Sequence, residues 1–114
     1  MKPVLLFFIG LTVSSAAIAA RLDDLFLQAD RGTFFVEAHA AAALGDADAL
    51  FLLGKAYYLG KGVAADEDQA RDYYEQARTK GSARASHNLG LIELDHGNRE
   101  AAIVLLNEAL ERGL

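Results

Sequence analysis

The sequence predicts an all-α fold, a short α-solenoid of antiparallel helix pairs. Three observations predict it. Residues 45–81, GDADALFLLGKAYYLGKGVAADEDQARDYYEQARTKG, hold two apolar segments of helical period, parted by the turn Gly60-Lys61-Gly62-Val63. The same pattern then starts again: Gly81 stands 36 residues after Gly45, and Leu89-Gly90 stands 36 residues after Leu53-Gly54. No proline follows Pro3, so nothing interrupts the helices.

Residues 1–19 read as a secretory signal peptide. Lys2 gives a short positive start, residues 4–13 form the apolar stretch, and Ala17-Ile18-Ala19 is an A-x-A cleavage site. Cleavage after Ala19 leaves 95 residues and, by removing Lys2, takes the net charge from −5 to −6. No Cys follows the site, which excludes a lipoprotein anchor. An uncleaved membrane anchor is the alternative, with an apolar stretch only just long enough to span a bilayer. A small exported domain without disulfides suggests the bacterial periplasm.

Residues 20–45 read as a degenerate half-repeat that caps the N-terminal end. Leu22, Leu25, Phe26 and Ala29 share one helical face, and Asp30-Arg31-Gly32-Thr33 reads as a turn. Phe34, Ala38 and Ala41 precede Ala70, Tyr74 and Ala77 by 36 residues, with Glu37 in the place of Tyr73.

Residues 46–81 form the complete repeat. Ala49, Leu53, Ala56 and Tyr57 lie on one face of its first helix, and Ala70, Tyr73, Tyr74 and Ala77 on one face of its second. The alanines allow close approach and the aromatics fill the space between the helices. Asp66 is placed to cap the second helix, with Gln69 as its capping-box partner, and Gly81 to end it. Residues 82–114 form a second, shortened copy. Ala102, Leu105, Leu106 and Ala109 stand 32 residues after Ala70, Tyr73, Tyr74 and Ala77, because His96-Gly97-Asn98 replaces the longer Gly60-to-Asp66 loop.

The run Ala49, Leu53-Gly54, Tyr57, Gly60, Gly62-Val63, Asp66, Ala70, Tyr73-Tyr74, Ala77, Gly81 resembles one complete Sel-one-like repeat. In the second copy, residues 85–94 follow that repeat, and GNREAAIVLLNEALERG resembles the closing helix of a tetratricopeptide repeat. The resemblance implies an α-solenoid that binds proteins or peptides without chemistry of its own. It also implies that the first helix of each pair lines a concave face.

The remaining residues narrow the function. A net charge of −5 argues against nucleic acid, and the absence of Cys removes thiolate chemistry. His39, His87 and His96 lie on three different segments, and the one carboxylate at ligand spacing, Glu93 before His96, is a weak metal signal. Ser86-His87 is no nucleophile–base pair, since adjacent helical residues point about 100° apart. Ser82 is placed to cap a helix, and Asp66-Glu67-Asp68 is an acidic run at a helix start rather than a calcium loop. Gly60-x-Gly62 lacks the rest of a phosphate loop. The sequence thus predicts no cofactor, no metal, no small-molecule substrate and no catalytic residue. The rival reading is an envelope enzyme such as a β-lactam-binding hydrolase; relatives linked to β-lactams are cysteine-rich, and this chain has neither Cys nor a serine–lysine motif.

Two surfaces remain as candidate contact sites. Lys55 and Tyr58 in the first copy, with Arg84, His87 and Leu91 in the second, lie off the packing face where the resemblance puts the concave side. This basic, aromatic and apolar stripe suits an acidic or amphipathic peptide. The final helix, about residues 99–112, carries a second apolar stripe of Ile103, Leu110 and Leu114, with no capping helix after Gly113-Leu114. This edge is expected to hold a partner or to form a homodimer. The expected function is a periplasmic protein–protein interaction module, either an envelope adaptor or an inhibitor. The latter resembles small exported repeat proteins that serve as immunity partners of secreted lipase effectors. N-terminal sequencing of the exported protein is expected to start at Ala20, or at Arg21 if processing shifts by one residue; Lys2 retained in the membrane fraction overturns the export reading.

Overall fold

The computed structural model describes residues 14–27 and 31–114. Residues 1–13, most of the expected signal peptide, and Asp30 of the expected turn lie outside the described residues. The described chain is all-α, with six helices and no strand: α1 (Ser15–Leu27), α2 (Arg31–Ala43), α3 (Ala47–Leu59), α4 (Glu67–Thr79), α5 (Ala83–Asp95) and α6 (Arg99–Glu111).

Local chemistry sets the helix ends. Asp46 accepts from the Ala49 amide at 2.9 Å and Ser82 from the Ala85 amide at 3.1 Å, so the same cap opens α3 and α5. Asp66 caps α4 through the Gln69 amide at 3.1 Å. Asn98 departs from the pattern: it does not cap α6, and its side-chain amide donates to Glu93 at 2.7 Å. At the other ends, Gly45 and Gly81 take φ of 84° and 98°, a left-handed conformation that costs glycine little. The amide that follows each glycine donates back into the last turn, Asp46 to Ala41 and Ser82 to Ala77. One three-residue hinge therefore closes a helix and opens the next, at both places where the sequence repeats.

Each helix packs on the next in the chain, and α1 also packs on α3. The core is continuous from Leu22, Leu25 and Phe26 in α1 to Leu105 in α6. α3 lies at its centre. Its residues 49–54 and Ala56 are all buried, more than one stripe of a helix, because α1, α2 and α4 cover different sides of it.

The closest helix approaches occur at the repeated glycines. A Cβ on Gly54 would stand 2.7 Å from the Tyr74 ring and 3.2 Å from the Ala70 carbonyl oxygen. A Cβ on Gly90 would stand 2.8 Å from the Leu106 side chain and 3.4 Å from the Ala102 carbonyl oxygen. The partners correspond at the 32-residue offset, so α3 on α4 and α5 on α6 are the same contact made twice.

Two sequence expectations change. Tyr74 is only 1% exposed, but Tyr73 is half-buried and stacks on Tyr57 with ring centroids 5.7 Å apart. Consecutive helical residues point about 100° apart, so only one of the pair can fill the gap at Gly54. Arg31, Gly32 and Thr33 of the expected turn are not in a turn either, since α2 starts at Arg31. Phe34, Ala38 and Ala41 are buried on one face, and exposed Gly32 costs that helix only about 1 kcal/mol.

Leu53→Ala is expected to cost roughly 2–5 kcal/mol, because its side chain is fully buried in the central helix. Gly54→Ala should destabilise by about 1–3 kcal/mol, since the buried Tyr74 ring cannot retreat. Gly90→Ala should be near neutral, because half-buried Leu106 can turn aside while the helix gains about 1 kcal/mol of propensity. Urea unfolding of the three variants checks the order; equal effects at the two glycines would refute the account of Tyr74.

Candidate functional site

A groove of about 200 Å³ opens between α3 and α5, and three of the five residues expected on the concave face line it: Lys55, Tyr58 and Leu91. The period of the helices explains their meeting. Lys55, Tyr58 and Leu59 follow one another around the outer side of α3, and Asn88, Leu91 and Ile92 form the facing side of α5. Tyr74 reaches up from α4 as the floor, its hydroxyl accepting from the Asn88 side-chain amide at 3.2 Å. Burial raises the Tyr74 phenol above its ordinary pKa, which keeps it neutral.

The other two expected residues lie outside the groove. The Arg84 guanidinium sits 4.3 Å from the Phe51 ring centroid and 3.0 Å from Asp48, so it ties α5 to α3. His87 is half-buried, with Nδ1 3.4 Å from the side-chain oxygen of Asn88. Asn88 is the polar groove residue that sequence reasoning missed, along with the apolar Leu59 and Ile92. Its signal is its position four residues after Arg84 and three before Leu91, on the stripe already singled out.

The charges of the molecule are unevenly committed. Arg21 pairs with Glu37, Arg71 with Glu93 at 2.6 Å, and Arg78 with Glu108. Lys55 and Lys61 have no ion pair among the described residues; their ammonium groups lie 5.2 and 4.6 Å from the Phe26 ring centroid. The groove thus combines apolar walls, an amide, and positive charge at one side that no internal carboxylate neutralises.

A second cluster is polar and half-buried, and no sequence pattern marks it. The Arg78 guanidinium grips Glu108 through two bonds of 2.7 and 3.0 Å, and the Ser86 hydroxyl donates to the same carboxylate at 2.6 Å. Arg112 donates to the Arg78 carbonyl at 2.8 Å. Arg78 and Ser86 together hold the Glu108 carboxyl down at about 2, and Glu108 in turn raises the Arg78 guanidinium. Ser86 is wholly buried, and its hydroxyl is committed to Glu108. Ser82 is buried too and caps α5. The Glu93–His96 spacing, a weak metal signal in the sequence, brings no pair together: Glu93 binds Arg71 and Asn98, while His96 lies 2.9 Å from Glu67. Among the described residues no three His, Cys, Asp or Glu side chains cluster to hold a metal ion, and no helix is long and apolar enough to cross a membrane.

No protein-family model matches the chain, nor does any curated protein or solved structure. The arrangement itself can bind an apolar side chain beside an anionic group.

The depressed Glu108 carboxyl gives a pH dependence with a defined sign. The interaction is fully present above the unfolded carboxyl range near 4.5 and is lost as pH falls toward 2. Chemical unfolding between pH 6 and pH 2.5 should show stability declining below about pH 4.5, where unfolded Glu titrates. Glu108→Gln should flatten that decline and lower stability at neutral pH; an unchanged profile would show that the cluster carries no folding energy.

Proposed function

We propose that the protein is a short α-solenoid of Sel-one-like and tetratricopeptide-like repeats that binds a protein segment in the groove between α3 and α5. The repeated helix contacts, 36 and 32 residues apart, and the elongated 54 × 30 × 19 Å shape support the repeat reading. The observation that carries the binding reading is the groove itself: apolar walls beside Lys55, whose charge is not neutralised internally. In an acidic chain whose arginines are largely paired, that charge favours a segment with an apolar anchor flanked by carboxylates. Backbone amides of such a segment find a partner in Asn88.

In this reading the protein is exported, loses its leader after Ala19, and acts in the periplasm by occupying a partner, as an inhibitor or as an adaptor. The cleavage site of this reading, after Ala19, falls inside α1. Cleavage after Ala19 removes Ile18, which packs on the core, and Ser15, which donates to Asp46 at 3.3 Å. It leaves Leu22, Leu25 and Phe26 in place as the buried face of α1.

Selection from a displayed random-peptide library tests the groove. Bound peptides should be enriched in one aliphatic or aromatic residue flanked by Asp or Glu. Leu91→Asp should abolish enrichment and Lys55→Glu should shift the flanks toward Lys and Arg, while neither alters helical circular dichroism. Enrichment that persists through both substitutions would place binding elsewhere.

A further inference from the structure

A second surface lies on α6. Ile103, Val104, Leu110 and Leu114 are 57%, 62%, 66% and 50% exposed. Ile103 and Leu110 stand at i and i+7, which puts them on one stripe of α6, and Leu114 follows just beyond the end of the helix. Val104, beside that stripe, widens it and was missed in the sequence because it belongs to neither apolar period. The repeat register shows what such a stripe does elsewhere in the chain. Thirty-two residues earlier, the positions of Ile103 and Leu110 are Arg71 and Arg78. Those arginines hold the following helix pair, through Glu93 on α5 and Glu108 on α6. The face that carries an internal docking contact on α4 is, on α6, apolar and uncovered among the described residues.

The charges on α6 indicate what covers it. Arg99 is the first residue of the helix and Glu111 the last. Each is exposed, and neither has an ion pair among the described residues. Each is also at the end of its own helix that disfavours its charge, since the macrodipole is positive at the N-terminus and negative at the C-terminus. An antiparallel copy of the same helix reverses both mismatches: Arg99 meets the C-terminal turn of its neighbour, where Glu111 stands. With Ile103 opposite Leu110, the two-fold axis passes beside Asn107, Ile103 and Leu110 of each copy face those of the other, and Arg99 lies within a turn of the neighbour's Glu111. Head-to-tail stacking would set the stripe against α1 and α2, where exposed Leu27 and Val36 stand among the Arg21–Glu37 ion pair and Asp24, and it would not close at two copies. We infer that α6 is a self-association surface on which two copies of this chain pair antiparallel about a two-fold axis near Asn107.

Sedimentation across a hundredfold range of concentration tests the pairing in the exported protein. The apparent mass should rise twofold and stop there, as an isologous contact closes on itself. Ile103→Glu with Leu110→Glu should abolish the rise with helical circular dichroism unchanged. Arg99→Glu should weaken association, and adding Glu111→Arg should restore it. The chain has no Cys, so Asn107→Cys provides a single thiol, and mild oxidation should link it into a covalent dimer. A mass that stays constant up to the highest concentration overturns the inference. So does association that continues past the dimer, or that leaves Asn107→Cys unlinked.

Discussion

The molecule depends on how closely two helices can approach when a glycine faces an aromatic ring. At Gly54 the space that a methyl group would need is filled by Tyr74. That contact fixes the separation of α3 from α4. It also aims the Tyr74 hydroxyl past α3 to Asn88, so the position of α5 follows from it. The floor of the groove is therefore not an independent feature. It is the far end of the side chain that holds the first helix pair together, and a substitution that repacks the pair must also move the groove. In the second pair Leu106 takes the place of Tyr74. An aliphatic side chain has no polar tip to reach onward, and no second groove floor is built from it.

Apolar contact brings the helices together, and ion pairs select which surfaces meet. Arg71 and Arg78 both leave α4 toward the next pair, about two turns apart on the same side. A planar guanidinium can take a carboxylate through two bonds, as Arg78 does with Glu108, and such a fork resists rotation of one helix against another. The carboxylates are partly exposed, so their value lies in orientation more than in energy. Spending the arginines on these contacts leaves lysines as the open positive charge beside the groove. A lysine suits that place, because its compact ammonium on a flexible stem can follow a partner whose carboxylates vary in position.

Much of this was legible in the sequence. The 36-residue offset located two matching helix–helix contacts, and Ser82 after Gly81 and Asp66 before Gln69 located two helix caps. The alternation of Ala, Leu and Gly named the buried face of α3. Three groove residues were found because helical period assigns a side chain to a face without knowledge of the partner. What escaped needed the rotation of one helix against another. Arg78 and Glu108 are 30 residues apart, and each taken alone is an ordinary charge on a solvated helix. Ser86 read as one of two unremarkable serines until Glu108 was placed beside it. Tyr73 and Tyr74 both matched the packing face, and only the position of Gly54 decides between them. Asn98 precedes α6 and is of a type that caps helices, yet its side-chain NH2 donates to the Glu93 carboxylate, which turns the side chain away from the α6 amides.

The contrast between α4 and α6 has a physical reason that bears on how the two surfaces work. Helices α5 and α6 are tethered to α4 by three residues, so their effective concentration at its surface is very high, and little association entropy remains to be overcome. Under that condition a docking face can be polar, with ion pairs that fix register and contribute little free energy. A face that must capture a separate molecule has no tether. It must offset the loss of translational and rotational freedom, and exposed apolar area is the means of doing so. Replacement of arginine by isoleucine and leucine at equivalent positions is the change expected when the same face turns from an internal contact to an external one. The groove follows the same rule. Under the proposed function its apolar walls serve an intermolecular contact, and its charge stands at the side, where it would meet an anionic segment without being desolvated by the walls.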